Sequence, residues 1–118
     1  MYIEGNKAVL LRIFIAQEDK HKGHPVYELI VKKARELGLA GATVLKGVMG
    51  FGAQSRLSMS NFLRISEDLP LVIELIDDEE YINEILPYVK EVMVDGLITM
   101  EKVDIIRYGR LKRDERKK

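Results

Sequence analysis

Residues 7–15, KAVLLRIFI, are apolar at nearly every position over a length too short for a helix, and their aliphatic and β-branched content predicts a strand. The charged stretch AQEDKHKGH (16–24) reads as a loop. From Pro25 the pattern changes to a helical period, with Val26, Ile30, Ala34 and Leu37 on one face. Pro25 suits the first turn of that helix and Gly38 its C′ position. GATVLKGVMGF (41–51) predicts a second strand, weakened by glycines towards its end. GAQSRLSMSN (52–61) has no apolar period and reads as a mobile loop or long hairpin arm, and FLRIS (62–66) as a short strand on its far side. LPLVIELI (69–76) predicts the third main strand. Asp77 or Asp78 can cap the next helix, with Glu79 and Glu80 favoured in its first turn by the helix dipole. Ile82, Ile85, Leu86, Val89, Val92 and Met93 give that helix its apolar face, and Pro87 inside the pattern predicts a kink or break. Gly96 is expected to end the helix, and LITMEKVDIIRY (97–108) to form the last strand.

The order βαββαβ is the ferredoxin-like, split-βαβ arrangement, an α+β fold with a four-stranded antiparallel sheet and two helices on one face. The first strand carries Val9, Leu10, Leu11, Ile13, Phe14 and Ile15, and LVIELI is apolar on both alternating sets. Strands of that kind are normally covered on both faces. Two helices cover one face, so something else must cover the other. Self-association is the simplest cover, each buried side chain contributing about 1.5–3 kcal/mol; a ligand cavity is the alternative.

Composition narrows the class. A chain of 118 residues is one domain, here 1–109 followed by a basic tail at 110–118. Abundant Lys, Arg and Glu with no cysteine points toward a thermophile, and excludes thiolate metal sites and cysteine catalysis. Neither a signal peptide nor an apolar run long enough for a membrane span is visible, so the expectation is a soluble, cytoplasmic protein without membrane insertion. The formal net charge is 0, but RLKRDERKK (110–118) is net +4 and leaves residues 1–109 at −4. A body of that sign argues against nucleic-acid binding, which needs a broad basic surface. The tail reads as a solvated, mobile end, with docking to nucleic acid or an acidic partner as the alternative.

Candidate chemistry centres on GVMGFGAQSR (47–56). It is neither a Walker A loop nor a dinucleotide fingerprint, since Gly50-x-Gly52 is followed by Ser55 and by no helix. Its glycines permit close backbone approach, so successive N–H groups can cradle an anion; a bulged hairpin with no ligand is the other reading. His21 and His24 form an H-x-x-H that Glu18 and Asp19 could extend into a metal site, or simply a solvated loop. The run DDEE (77–80) reads as a helix start before an acid–base pair. Arg56 and Arg64 flank the polar loop as solvated charges, or meet an acidic partner or a phosphate. Arg107, near the end of an apolar strand, needs a partner for its charge. No nucleophile–base pair has convincing spacing, so the chain is expected not to be an enzyme.

GATVLKGVMGFGAQ resembles the stretch leading into the T-loop of the PII signalling proteins, with Gly50, Phe51, Gly52 and Gln54 matching and Met49 and Ala53 in place of basic residues. LPLVIELIDDEEYINEIL is similar to the third strand and second helix of PII. DGLITMEKVDIIRYGR lines up with its last turn, strand and ending, where Asp95, Gly96, Arg107 and Gly109 match. The closer resemblance is to the PII-like domain-of-unknown-function family 190, through HKGHPVYELIVKKARELGLAGATVLKGVMGFG and DLPLVIELID, over residues from about 7 to 109.

This resemblance implies a homotrimer with adenine nucleotides in clefts between subunits. The implied ligands are backbone N–H groups near Gly50 and Gly52, the Gln54 side chain, the Asp95–Gly96 turn and the charge of Arg107, with Arg56 closing over the site. The lysine of PII's turn is Leu97 here and the first arginine of its ending is Ile105, so ADP or AMP is expected in preference to ATP. The loop holds no tyrosine, so modification by uridylylation does not carry over. The functional expectation is a signalling protein whose loop, about 52–66, docks on a target such as a transporter or enzyme. The alternative is a small nucleotide-acting enzyme on the same fold.

Overall fold

The computed structural model describes residues 8–51 and 69–109. Four strands form an antiparallel sheet: β1 (Ala8–Ala16), β4 (Gly41–Lys46), β5 (Pro70–Asp78) and β6 (Leu97–Val103), in the order β4-β5-β1-β6. Between β1 and helix α1 (Val26–Glu36), two short strands, β2 (Lys20–His21) and β3 (His24–Pro25), pair as a hairpin. Its turn residues Lys22 and Gly23 both have positive φ, 51° and 84°, which fits a two-residue hairpin turn. The charged loop expected here is thus partly ordered. Helix α2 (Glu79–Val92) joins β5 to β6. The result is the ferredoxin-like architecture.

Nine consecutive pairs join β1 to β5, from Ala8 opposite Asp78 to Ala16 opposite Pro70. Side chains alternate along each strand, so this register sorts them into two sets. Val9, Leu11, Ile13 and Ile15 of β1 and Leu71, Ile73 and Leu75 of β5 are buried in one core with Val26, Ile30 and Ala34 of α1 and Ile82, Ile85, Val89 and Val92 of α2. The other set, Leu10, Arg12 and Phe14 with Val72, Glu74 and Ile76, faces away from the helices and is only half-buried.

Helix α1 stops as its sequence dictates. Gly38 has φ 77°, its N–H bonds to the Arg35 carbonyl, and the Leu39 N–H reaches back to Ala34. These two bonds form a Schellman motif, and the left-handed residue within it favours glycine. Helix α2 runs without a break through Pro87. Pro87 and Asn83, whose carbonyl lacks the proline N–H, are both exposed, so water can serve that carbonyl. Asp78 occupies the N-cap position with no capping side-chain bond.

Three boundaries differ from the sequence expectation. Strand β4 ends at Lys46 because the Gly47 N–H bonds to the Pro70 carbonyl at 2.7 Å, while proline has no N–H to return. Strand β6 ends at Val103, paired with Ala8, and residues 104–109 lie outside the sheet. Gly96 does not end α2, which closes at Val92; it opens β6 instead. There it has φ 133°, and a Cβ added to it would lie 2.2 Å from the Phe14 carbonyl oxygen.

Gly96→Ala should therefore cost roughly 2 kcal/mol or more of stability, combining Gly-only backbone strain with a clash against main chain. Gly109, with nothing within 4 Å of its added Cβ, is the control. Urea melts should show a lowered midpoint for Gly96→Ala and an unchanged one for Gly109→Ala; equal midpoints would refute the close approach.

Candidate functional site

One end of the sheet gathers four of the five described nucleotide-site candidates, Gly50, Phe51, Asp95 and Gly96. The turn after β4 (47–51), the start of β5, the end of β1 and the Asp95–Gly96 turn before β6 all lie there. The glycine turn follows β4 and the Asp95–Gly96 turn precedes β6, the two edge strands, which are three strand spacings or about 14 Å apart. Between them, the Gln17 N–H bonds to the Leu69 carbonyl, and the buried Gln17 Oε1 has no hydrogen-bond partner among the described residues. This end is also unusually apolar at its surface, since Val48, Met49, Phe51, Val94 and Leu97 are all exposed, Phe51 at 74%. An apolar rim beside polar backbone suits a flat base or a neighbouring chain.

What approaches the first two glycines of the loop is the ring of Pro70. A Cβ on Gly47 would meet its Cγ at 2.9 Å, and one on Gly50 would meet it at 3.2 Å. Neither glycine has a positive φ. Their need for a missing side chain is met by packing within the chain. Gly52, Gln54 and Arg56 lie outside the described residues, as do Arg64, FLRIS and the tail at 110–118.

Arg107 is elsewhere. It does not sit in the last strand, as the apolar run suggested, but four residues beyond the end of β6, and it is exposed. Strand β6 starts beside the Asp95–Gly96 turn and ends about 20 Å away at the opposite end of the sheet. Arg107 is therefore at the far end from Gly50, Phe51, Asp95 and Gly96 of the same chain. The segment carrying it crosses the sheet end from β6 towards β4, where the Tyr108 hydroxyl donates to the Ala40 carbonyl at 2.5 Å. Asp77, wholly buried, accepts the Ala40 N–H at 2.9 Å on one carboxylate oxygen and the Asp78 N–H at 2.6 Å on the other.

The helix-free face has a charged centre. Arg12 of β1 donates from Nε to Glu74 of β5 at 3.0 Å and from Nη1 to Glu101 of β6 at 2.5 Å. Hydrogen bonds to Glu74 first, and then to Glu101, raise the guanidinium pKa above its ordinary value and keep it charged. Leu10, Phe14, Val72 and Ile76 flank this trio, and the exposed Leu45 and Leu97 lie in register with Val72 and Phe14.

The family model DUF190 ("Uncharacterized ACR") matches residues 8–105, nearly all of the described fold. A UPF0166 protein of Aquifex aeolicus is 37% identical over 100 residues, covering 85% of this chain and 94% of its own length. A second, from Methanocaldococcus jannaschii, is 41% identical over 93 residues, covering 78% and 85%. The chain belongs to the DUF190 family. Among solved structures, CPII from Thiomonas intermedia K12 bound to ADP, AMP and acetate superposes with a TM-score of 0.55 at 15% identity, covering 85% of this chain and 89% of that one. CPII bound to ADP and bicarbonate gives 0.51 at 16% identity, covering 87% and 95%. At such identities the likeness concerns the fold, which is PII-like.

The remaining candidates of this DUF190 chain divide clearly. His21 and His24 face each other across the β2–β3 hairpin, but among the described residues no group of three or more His, Cys, Asp or Glu side chains is placed to hold a metal. Asp19, weighed as an extra ligand, accepts the Ala16 N–H on its carboxylate and the Val26 N–H on its carbonyl, tying β1 to α1. Among the described residues no helix is long and apolar enough to cross a membrane. Three features escaped sequence reasoning: the orphan oxygen of Gln17, the buried Asp77 and the docked Tyr108. The aspartate that heads DDEE directly after an apolar run was the one available signal, and it reads equally as a cap.

If Pro70 is what the glycine turn accommodates, Gly47→Ala should destabilise by about 1–3 kcal/mol through overpacking. The penalty should largely vanish in a Pro70→Ala background, where the Cγ is gone. Additive losses in the double variant would show that the turn is constrained by something else.

Proposed function

We propose that this DUF190 protein is a PII-like regulatory protein that binds an adenine nucleotide between copies of itself in a homotrimer and acts through residues of about 52–66 on a protein target. The observation that carries this reading is the division of the candidate site. The glycine turn, Asp95 and Gly96 occupy one end of the sheet and Arg107 the other, about 20 Å away, so one copy alone cannot bring the arginine to the turn. A second copy can. The helix-free face supports the same conclusion, because its half-buried apolar residues around Arg12 ask for cover of their own kind.

The nucleotide class draws support from the CPII structures, which hold ADP and AMP on the same fold. Leu97, exposed beside the Asp95–Gly96 turn, offers no charge to a further phosphate. That favours ADP or AMP over ATP. The exposed Phe51 and its apolar neighbours offer the base a surface. Arg107 from the neighbouring copy supplies the positive charge, and ligand binding biases the protein between target-binding states by differential affinity.

Calorimetry and light scattering test this together. ADP or AMP should bind at least as tightly as ATP, and be recovered unchanged. Arg107→Ala should weaken binding ten- to a hundredfold, about 1.5–3 kcal/mol. The mass in solution should be about 40 kDa, three times the 13.5 kDa chain. A monomer at micromolar concentration, or no adenine nucleotide bound at millimolar concentration, refutes the reading.

A further inference from the structure

Resting on that nucleotide-binding reading, we infer that Tyr108 is a positioning residue: its hydroxyl pins the 104–109 strap so that Arg107 is held outward for a neighbouring copy. The strap is tied at two points. At one it continues β6, whose last pair is Val103 with Ala8; at the other the Tyr108 hydroxyl bonds to Ala40, 68 residues earlier in the chain. Between these ties Ile106 is 92% exposed and Arg107 is exposed, while Ile105 and Tyr108 turn inward and are half-buried. A strap anchored in this way projects an aliphatic and a cationic side chain together, away from its own chain.

The anchor point is itself immobilised. Ala40 is buried between the Schellman motif that ends α1 and the first residue of β4. Its N–H is held by the buried Asp77 carboxylate, and its carbonyl receives the tyrosine. Both sides of the residue are thus engaged, and the tie transmits a fixed geometry to the strap. Without the hydroxyl, the strap loses its hydrogen bond to Ala40 and keeps only looser, undirected packing at 105 and 108 beyond β6 among the described residues. Arg107 must then be ordered at the moment of binding, which lowers affinity without removing any ligand contact. Phenylalanine fills the same half-buried place, so Tyr108→Phe removes the hydrogen bond and keeps the packing.

Two measurements test the inference. In calorimetry with ADP, Tyr108→Phe should weaken binding three- to tenfold relative to wild type. In an Arg107→Ala background the same change should have an effect below twofold, because the tyrosine acts through the arginine. A tyrosine with a merely structural role would weaken binding by the same factor in both backgrounds, and that result overturns the inference. The second measurement needs no nucleotide. Limited trypsin digestion of the full chain, read by mass spectrometry, should cleave after Arg107 faster in Tyr108→Phe than in wild type. Unchanged cleavage shows that the hydroxyl does not hold the strap, and also overturns the inference. If cleavage rises but wild type binds no adenine nucleotide, the anchor stands while the site it serves is lost, and the inference falls through the reading beneath it.

Discussion

The nine-pair antiparallel ladder between β1 and β5 decides where almost everything else in the molecule can be. Because side chains alternate across a strand, one register commits Leu11, Ile13, Ile73 and Leu75 to the helices and Arg12, Glu74, Phe14 and Val72 to the opposite face. A slip of one residue would place Arg12 in the helical core and expose the isoleucines. The same register sets both ends of the sheet: Ala16 and Pro70 finish near the glycine turn, while Ala8 and Asp78 finish near the C-terminal strap.

From those two ends the functional logic follows. The antiparallel course of β6 separates the Asp95–Gly96 turn from Arg107 by the full length of a strand, and in the function proposed above symmetry restores their proximity. The central Arg12, bonded to two glutamates inside an apolar surround, suits that role as well. A guanidinium paired within its own chain can enter an interface without becoming an orphan charge, and the excess carboxylate of the trio disfavours partners that cannot match it.

Much of the fold was legible because its signals are local. The period of Val26, Ile30 and Ala34, closed by Gly38, specifies α1 without reference to distant residues, and the apolar runs of β1 and β5 do the same for the central strands. What escaped depends on remote partners. VDIIRY reads as strand because nothing near it says that Tyr108 finds Ala40, 68 residues earlier. The arrest of β4 at Lys46 depends on a proline at position 70. The two-residue strands flanking Lys22–Gly23 are too short to show a period. Pro87 looked disruptive only because sequence does not say that its turn faces water. For the site, spacing alone left the glycines ambiguous between anion cradle and hairpin. The family resemblance singled out the two turns and the arginine, and it could not reveal the distance between them.

The central place of β1 also bears on how the chain is made. Strand β1 leaves the ribosome before its partners β5 and β6, so Ala8 must wait for Asp78 and then for Val103. Until then a nine-residue segment, apolar on both faces but for Arg12, has no partner from its own sheet. Contacts spanning so much sequence slow folding, and an unpaired apolar strand is the kind of segment that joins other chains. Arg12 is then the one charge in the middle of that waiting strand, and a gatekeeper against aggregation during synthesis before it is ever a member of a finished network.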